Sequence, residues 1–81
     1  MYIQHYLYQR ITIDPNVCFG KPCIRGLRMP VASLLDYLSS GKTTKDMLKE
    51  FPFLEEKDIS EALAFSASLL QDSFIPLKRS A

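Results

Sequence analysis

The 81-residue chain is poor in the residues that build reactive centres: it has one histidine, two cysteines, three glycines and no tryptophan. Two cysteines and one histidine are too few for a zinc site or for the disulfide framework of a small secreted domain. A nucleophilic cysteine needs a base and an orienting partner, and no such arrangement is visible around Cys18 or Cys23. Both read as small thiols in a loop core, free in a reducing compartment. His5 is expected to have no chemical role. No stretch approaches the roughly 20 apolar residues of a membrane span. The opening MYIQHYLYQR has no basic n-region and no long apolar run, so no signal peptide is expected and a cytoplasmic location is the default. The net charge of +1 excludes a global field drawing the whole molecule to nucleic acid or membrane.

What is present is organised. The length bounds the chain to one small domain, for which dimerisation would enlarge a modest core. Residues 14–30, DPNVCFGKPCIRGLRMP, collect Pro15, Pro22, Pro30, Gly20, Gly26, both cysteines and the cations Lys21, Arg25 and Arg28. No helix tolerates that punctuation, so the segment is a shaped basic loop. Charge is asymmetric around it. Arg10, Lys21, Arg25 and Arg28 face Asp14 alone in the front part, whereas Glu50, Glu55, Glu56, Asp58, Glu61 and Asp72 face Lys57 alone further on.

Tyr6–Ile13 alternates and is rich in aromatic and β-branched residues, which predicts a strand that Asp14-Pro15 ends. Residues 23–29 predict a short extended arm bent at Gly26. Three helices follow. Pro30 suits a first turn, and Val31, Leu34, Leu35 and Leu38 recur at helical spacing until Gly41. Thr43 is a candidate N-cap with Asp46 three residues on, and this second helix runs to about Glu50 before Pro52. The third spans about 55–72, with Ile59, Ala62, Leu63, Ala67 and Leu70 in phase and Phe65 and Leu69 on another side. The tail from Ile75 to Ala81 is expected to be loosely ordered. The expected fold is mainly α: a three-helix, helix-turn-helix domain with an N-terminal strand or hairpin arm (6–30), a bundle (31–72) and a tail (75–81).

Gly41-Lys42-Thr43 matches the end of a phosphate-binding loop, but the required earlier glycine falls at Asp36 inside a helix. Helix stop and helix cap explain all three residues. The acidic residues, Asp58 among them, have the spacing of caps and solvated helix faces. No catalytic residue, metal or cofactor is therefore expected. Lys21, Arg25 and Arg28 have two open readings. They solvate the loop or pair with Asp14 and Asp36, or they contact phosphate or an acidic protein surface. Glu55, Glu56, Asp58 and Glu61 at the start of the third helix oppose a phosphate-lined groove.

Arg10-Ile-Thr-Ile-Asp14-Pro15, followed by Cys18-x-Gly20-Lys21-Pro22-Cys23-Ile24-Arg25-Gly26-x-Arg28-x-Pro30-Val31, resembles the signature of the bacterial "domain of unknown function 433" family. Gly41, Leu48, Phe51-Pro52, Leu54, Asp58-Ile59 and Ala62-Leu63-Ala64 continue it, over about residues 9–70. The resemblance implies a homeodomain-like, winged helix-turn-helix fold. It also implies a VapB-type antitoxin role: binding a PIN-like ribonuclease toxin and, as a dimer with it, operator DNA. Glu55-Glu56 departs from the Ser/Thr-Pro common in the family, and loss of a hydroxyl cap there should weaken the helix start by up to about 1 kcal/mol.

On this reading DNA would be contacted by Lys21, Arg25, Arg28, Thr44, Lys45, Lys57 and Ser60. The toxin would be met by Leu69, Phe74, Ile75, Lys78 and Arg79. The alternative is a protein-interaction module whose helix-turn-helix does not bind DNA. An uncharacterised enzyme using Cys18 or Cys23 is a third reading.

Overall fold

The computed structural model describes residues 3–71; the remaining residues at either end lie outside the description. Two short strands open the chain. β1 (Ile3–Gln4) pairs antiparallel with β2 (Ile11–Ile13), Ile3 opposite Ile13 and Gln4 opposite Thr12. β2 pairs on its other side with β3 (Cys23–Ile24), Ile11 opposite Ile24. β2 is thus the centre of a three-stranded antiparallel sheet.

The strand predicted over Tyr6–Ile13 is shorter than expected, and its first part is a turn. The reason is local. The Leu7 and Tyr8 backbone N–H groups both donate to Nδ1 of His5, at 3.1 Å each. The His5 ring also stacks on Tyr6 and meets the edge of Phe65. His5 therefore organises the hairpin turn that β-propensity reads as strand, and it has the structural role the sequence did not suggest.

Between β2 and β3 a 3-10 turn, Cys18–Gly20, reverses the chain. Cys18, Phe19 and Gly20 all take left-handed backbone, with φ 50, 58 and 78°. After β3 the chain turns again through Arg25 and Gly26, both at positive φ, and Ile24 N–H returns to the Met29 carbonyl at 3.0 Å. Two positive φ values in succession match the right-handed twist of flanking strands. Buried Thr12 ties this turn down, its hydroxyl oxygen accepting from Gly26 N–H at 2.7 Å.

α1 (Val31–Ser39) starts at Pro30, and its first free N–H, on Val31, is taken by the Pro22 carbonyl of the loop. Gly41 ends it at φ 94°, as expected. α2 (Thr44–Glu50) opens with the predicted capping box: Asp46 N–H donates to Thr43 Oγ1 at 3.1 Å, and Thr43 N–H to Asp46 Oδ2 at 2.9 Å. The Thr43 backbone bond and the threonine hydroxyl hold the Asp46 carboxyl below its usual range. Asp36 lies inside α1, which removes the phosphate-loop reading of Gly41-Lys42-Thr43.

α3 (Glu56–Gln71) follows a five-residue connection, 51–55, in which Leu54 is buried. Each helix packs on the other two, and α3 also packs on β2. The result is a helix-turn-helix domain with its β arm laid against the last helix. Ile11, Ile24, Leu34, Met47 and Ile59 form the centre of the core. Each side chain of that kind contributes roughly 1.5–3 kcal/mol when fully buried. One expectation changes here. α3 buries Asp58, Ile59, Ala62 and Phe65, whereas Leu63 and Leu70 remain exposed. The arm covers the Phe65 side, so that stripe, and not the one through Leu63 and Leu70, faces the core.

Candidate functional site: the basic loop and an apolar groove

Asp58 is fully buried, although its spacing predicts a helix cap or a solvated helix face. It is surrounded by donors. Arg25 grips it with two bonds, Nε to Oδ1 and Nη2 to Oδ2, both 2.9 Å. Arg10 Nη1 reaches Oδ1 at 2.8 Å, and the Glu55 backbone N–H reaches Oδ2 at 2.8 Å. Burial alone would raise the Asp58 carboxyl, but the hydrogen bonds from Arg25, Arg10 and Glu55 outweigh it and hold it below the usual range. The same contacts, Glu55 and Asp58 for Arg10 and Asp58 for Arg25, raise both guanidinium groups.

The cluster extends outward. Arg10 Nη1 also bonds Glu55 Oε1 at 2.6 Å, Glu61 Oε1 accepts the Arg10 backbone N–H at 2.9 Å, and Arg25 Nη2 donates to the Phe53 carbonyl at 2.8 Å. The Asp58–Glu55 contact also fills the capping position at the start of α3. The Asp58 carboxylate, three residues on, accepts the Glu55 backbone N–H at 2.8 Å, the half of a capping box that needs no Ser or Thr hydroxyl.

This places Arg25 differently from either sequence reading. Arg25 pairs with Asp58 and not with Asp14 or Asp36, and its guanidinium is committed to the fold. Lys21 and Arg28 remain exposed. Thr44 is half-buried in the first turn of α2, with Lys45 exposed beside it. Lys57 and Ser60 are exposed near the start of α3, where the Ser60 hydroxyl donates to the Lys57 carbonyl at 3.2 Å. Lys21 instead sits beside Leu69 and Leu70. Twelve helical residues separate Lys57 from Leu69, a rise of about 18 Å, so the predicted DNA set divides between the two ends of α3. Phe74, Ile75, Lys78 and Arg79 lie outside the described residues.

Beside Lys21 lies an open groove of about 480 Å³ between the start of α1 and the end of α3. Its lining is almost entirely apolar: Pro22, Pro30, Val31, Leu35, Leu69 and Leu70. Leu69 and Leu70 are 52% and 64% exposed. At the loop beside it Phe19 is 97% exposed and held in left-handed backbone. Large apolar side chains held at the surface in this way are typical of binding surfaces. Among the described residues no group of three histidine, cysteine, aspartate or glutamate side chains could hold a metal ion. None of their helices is long and apolar enough to cross a membrane.

The sequence reading gave no site role to Arg10, Asp58, Thr12 or Phe19. A signal existed for Asp58: it lies at i, i+4 and i+7 with Ala62 and Phe65, in phase with the buried stripe. A carboxylate in that phase needs a cation, and Arg10 and Arg25 are the cations of the arm that lies against it.

A helix-turn-helix domain whose β arm is fastened to its last helix by a buried carboxylate defines the class. The chain belongs to the DUF433 family, described as "Protein of unknown function", whose profile matches residues 11–66. It is similar to a DUF433 member protein from Anabaena variabilis ATCC 29413, known from a crystal structure at 2.00 Å resolution. The two are 34% identical with a TM-score of 0.73, over 80% of this chain and 64% of that one. The chain thus spans less than two thirds of that relative's length. No curated protein matches the chain.

Proposed function

We propose that this domain is a non-enzymatic binding module of the antitoxin kind, which docks a small PIN-like ribonuclease and restrains it. The observation that carries the reading is the open apolar groove ending in Leu69 and Leu70, together with exposed Phe19 on the loop that supplies Lys21 and Pro22 to it. An open, almost wholly apolar groove on so small a domain suits a protein partner better than a small molecule. Arg25, one of the two loop arginines, is already engaged by Asp58. The acidic start of α3 also disfavours affinity for a polyanion. The domain acts as a dimer in the complex and works in the cytoplasm.

The test is a pull-down from the native host with the tagged full chain, with and without nuclease treatment, and with the Leu70→Asp variant alongside. The reading requires a PIN-like ribonuclease that survives nuclease treatment, is lost with Leu70→Asp, and cleaves RNA more slowly when the domain is added back. A ribonuclease that co-purifies but cleaves at an unchanged rate would overturn it.

Operator binding is a second reading, favoured by Lys42, Lys45 and Lys49, which lie exposed at helical spacing on and just before α2. A steep loss of DNA affinity with salt, reduced in Lys45→Ala and Arg28→Ala, is its signature. Arg25→Ala is unsuitable for that purpose because it also unfastens the arm.

A further inference from the structure

The two cysteines are free, and they differ in exposure: Cys18 is half-exposed and Cys23 is buried. They lie five residues apart, but the left-handed run Cys18-Phe19-Gly20 turns the chain back on itself. Lys21 N–H then closes the turn on the Cys18 carbonyl at 3.2 Å, and the Cys23 thiol donates to the Lys21 carbonyl at 3.3 Å. Both cysteines thus sit on one tight turn and are joined through Lys21, Cys18 by its carbonyl and Cys23 by its thiol. Cys23 is anchored as the first residue of β3, opposite Thr12.

We infer that Cys18 and Cys23 form a reversible redox pair, oxidised to an intramolecular disulfide by hydroperoxides. A half-exposed thiol on the same turn as a buried one is the arrangement of an attacking and a resolving cysteine. Burial, and then the neighbouring Cys18, push the Cys23 thiol up to about 11, so it is protonated near neutral pH.

The step balances. Cys18 sulfur attacks a peroxide oxygen, the S–O bond forms, the O–O bond breaks, and the leaving oxygen departs as water. Cys23 sulfur then attacks Cys18 sulfur, the S–S bond forms, the S–O bond breaks, and a second water leaves. Two thiols lose two electrons and two protons, and one hydrogen peroxide becomes two waters. The bond would fix the turn that carries Phe19 and Lys21, and Lys21 lines the groove. The inference does not depend on what occupies that groove.

The test uses the purified full chain, dilute and fully reduced, treated with hydrogen peroxide. The expected product is a monomer lighter by two hydrogens, with both thiols lost to titration under denaturing conditions and both restored by dithiothreitol. In Cys23→Ser the reaction should stop at a Cys18 sulfenic acid, trapped by dimedone, whereas Cys18→Ser should be inert. Addition of oxygen to the parent chain with no disulfide, or a cross-link between chains, would overturn the pairing without needing either variant to fold.

Discussion

Removing the Asp58 side chain should be among the most damaging single changes this domain can suffer. Asp58→Ala deletes the acceptor of four hydrogen bonds: two from Arg25, one from Arg10 and one from the Glu55 backbone. Breaking a buried ion pair by removing one partner costs about 3–5 kcal/mol. Here the two stranded guanidiniums recover part of that loss from water, because Arg10 and Arg25 keep 25% and 34% side-chain exposure. A net loss of about 2–4 kcal/mol is then expected, against a total stability of roughly 4–12 kcal/mol for a domain of this size. In thermal unfolding this corresponds to a fall of roughly 10–25 °C. The stronger check is a double-mutant cycle with Arg25→Ala. Arg25→Ala alone should cost less than Asp58→Ala, because Asp58 keeps Arg10 and the Glu55 N–H. In the Asp58→Ala background Arg25→Ala should cost almost nothing. If Asp58→Ala lies within about 0.5 kcal/mol of the parent, as surface substitutions do, or if the two changes simply add, the carboxylate does not fasten the arm.

Acid should act through the same group. The Asp58 carboxyl is depressed in the folded chain, so its contribution is present above the unfolded value of about 3.9 and is lost as pH falls through the lower folded value. Asp58→Asn should flatten the fall in stability below about pH 4, measured by urea unfolding across pH. At the other limb, Cys23 is raised from 9.0 to about 11. Stability should therefore fall as pH rises through that interval, while the unfolded chain ionises first, and Cys23→Ala should remove this slope. Thr43→Ala should cost about 1 kcal/mol in chemical denaturation through loss of the α2 cap. Gly41 sits at φ 94° with open space, nothing within 4 Å, where a methyl group would stand. Gly41→Ala should therefore cost only the backbone term, about 1–2 kcal/mol in the same assay, with Gly41→Asn costing less.

The parts of the fold that were legible are those fixed by neighbours in sequence. Thr43 and Asp46 are three residues apart, Gly41 needs only its own backbone freedom, and Pro30 sets its own φ, so these helix ends were read correctly. The helix-turn-helix order followed from them. What was not legible depends on partners far away. Arg25 and Asp58 are 33 residues apart, and Arg10 and Glu61 are 51 apart. Without knowing that the arm lies on α3, Arg25 could not be told from a free loop cation. The overlong strand has a different cause: a histidine ring nitrogen accepting two backbone N–H groups leaves no trace in hydropathy. The groove was half legible. Leu69 stood out as a residue on a second greasy side of α3, but its neighbours across the groove, Pro22 and Pro30, come from the loop.

The fastening of arm to helix also bears on how the chain acquires its structure. Every strong contact of Asp58 with the arm closes a loop of more than thirty residues, and such closures come late and slowly when a chain folds. The helices can begin to gather before the arm arrives, yet a carboxylate cannot remain in their interior without its cations. The arm and the three helices should therefore gain protection from amide hydrogen exchange together, in one cooperative event. A fragment beginning after Pro30 should stay unfolded even though it contains all three helices.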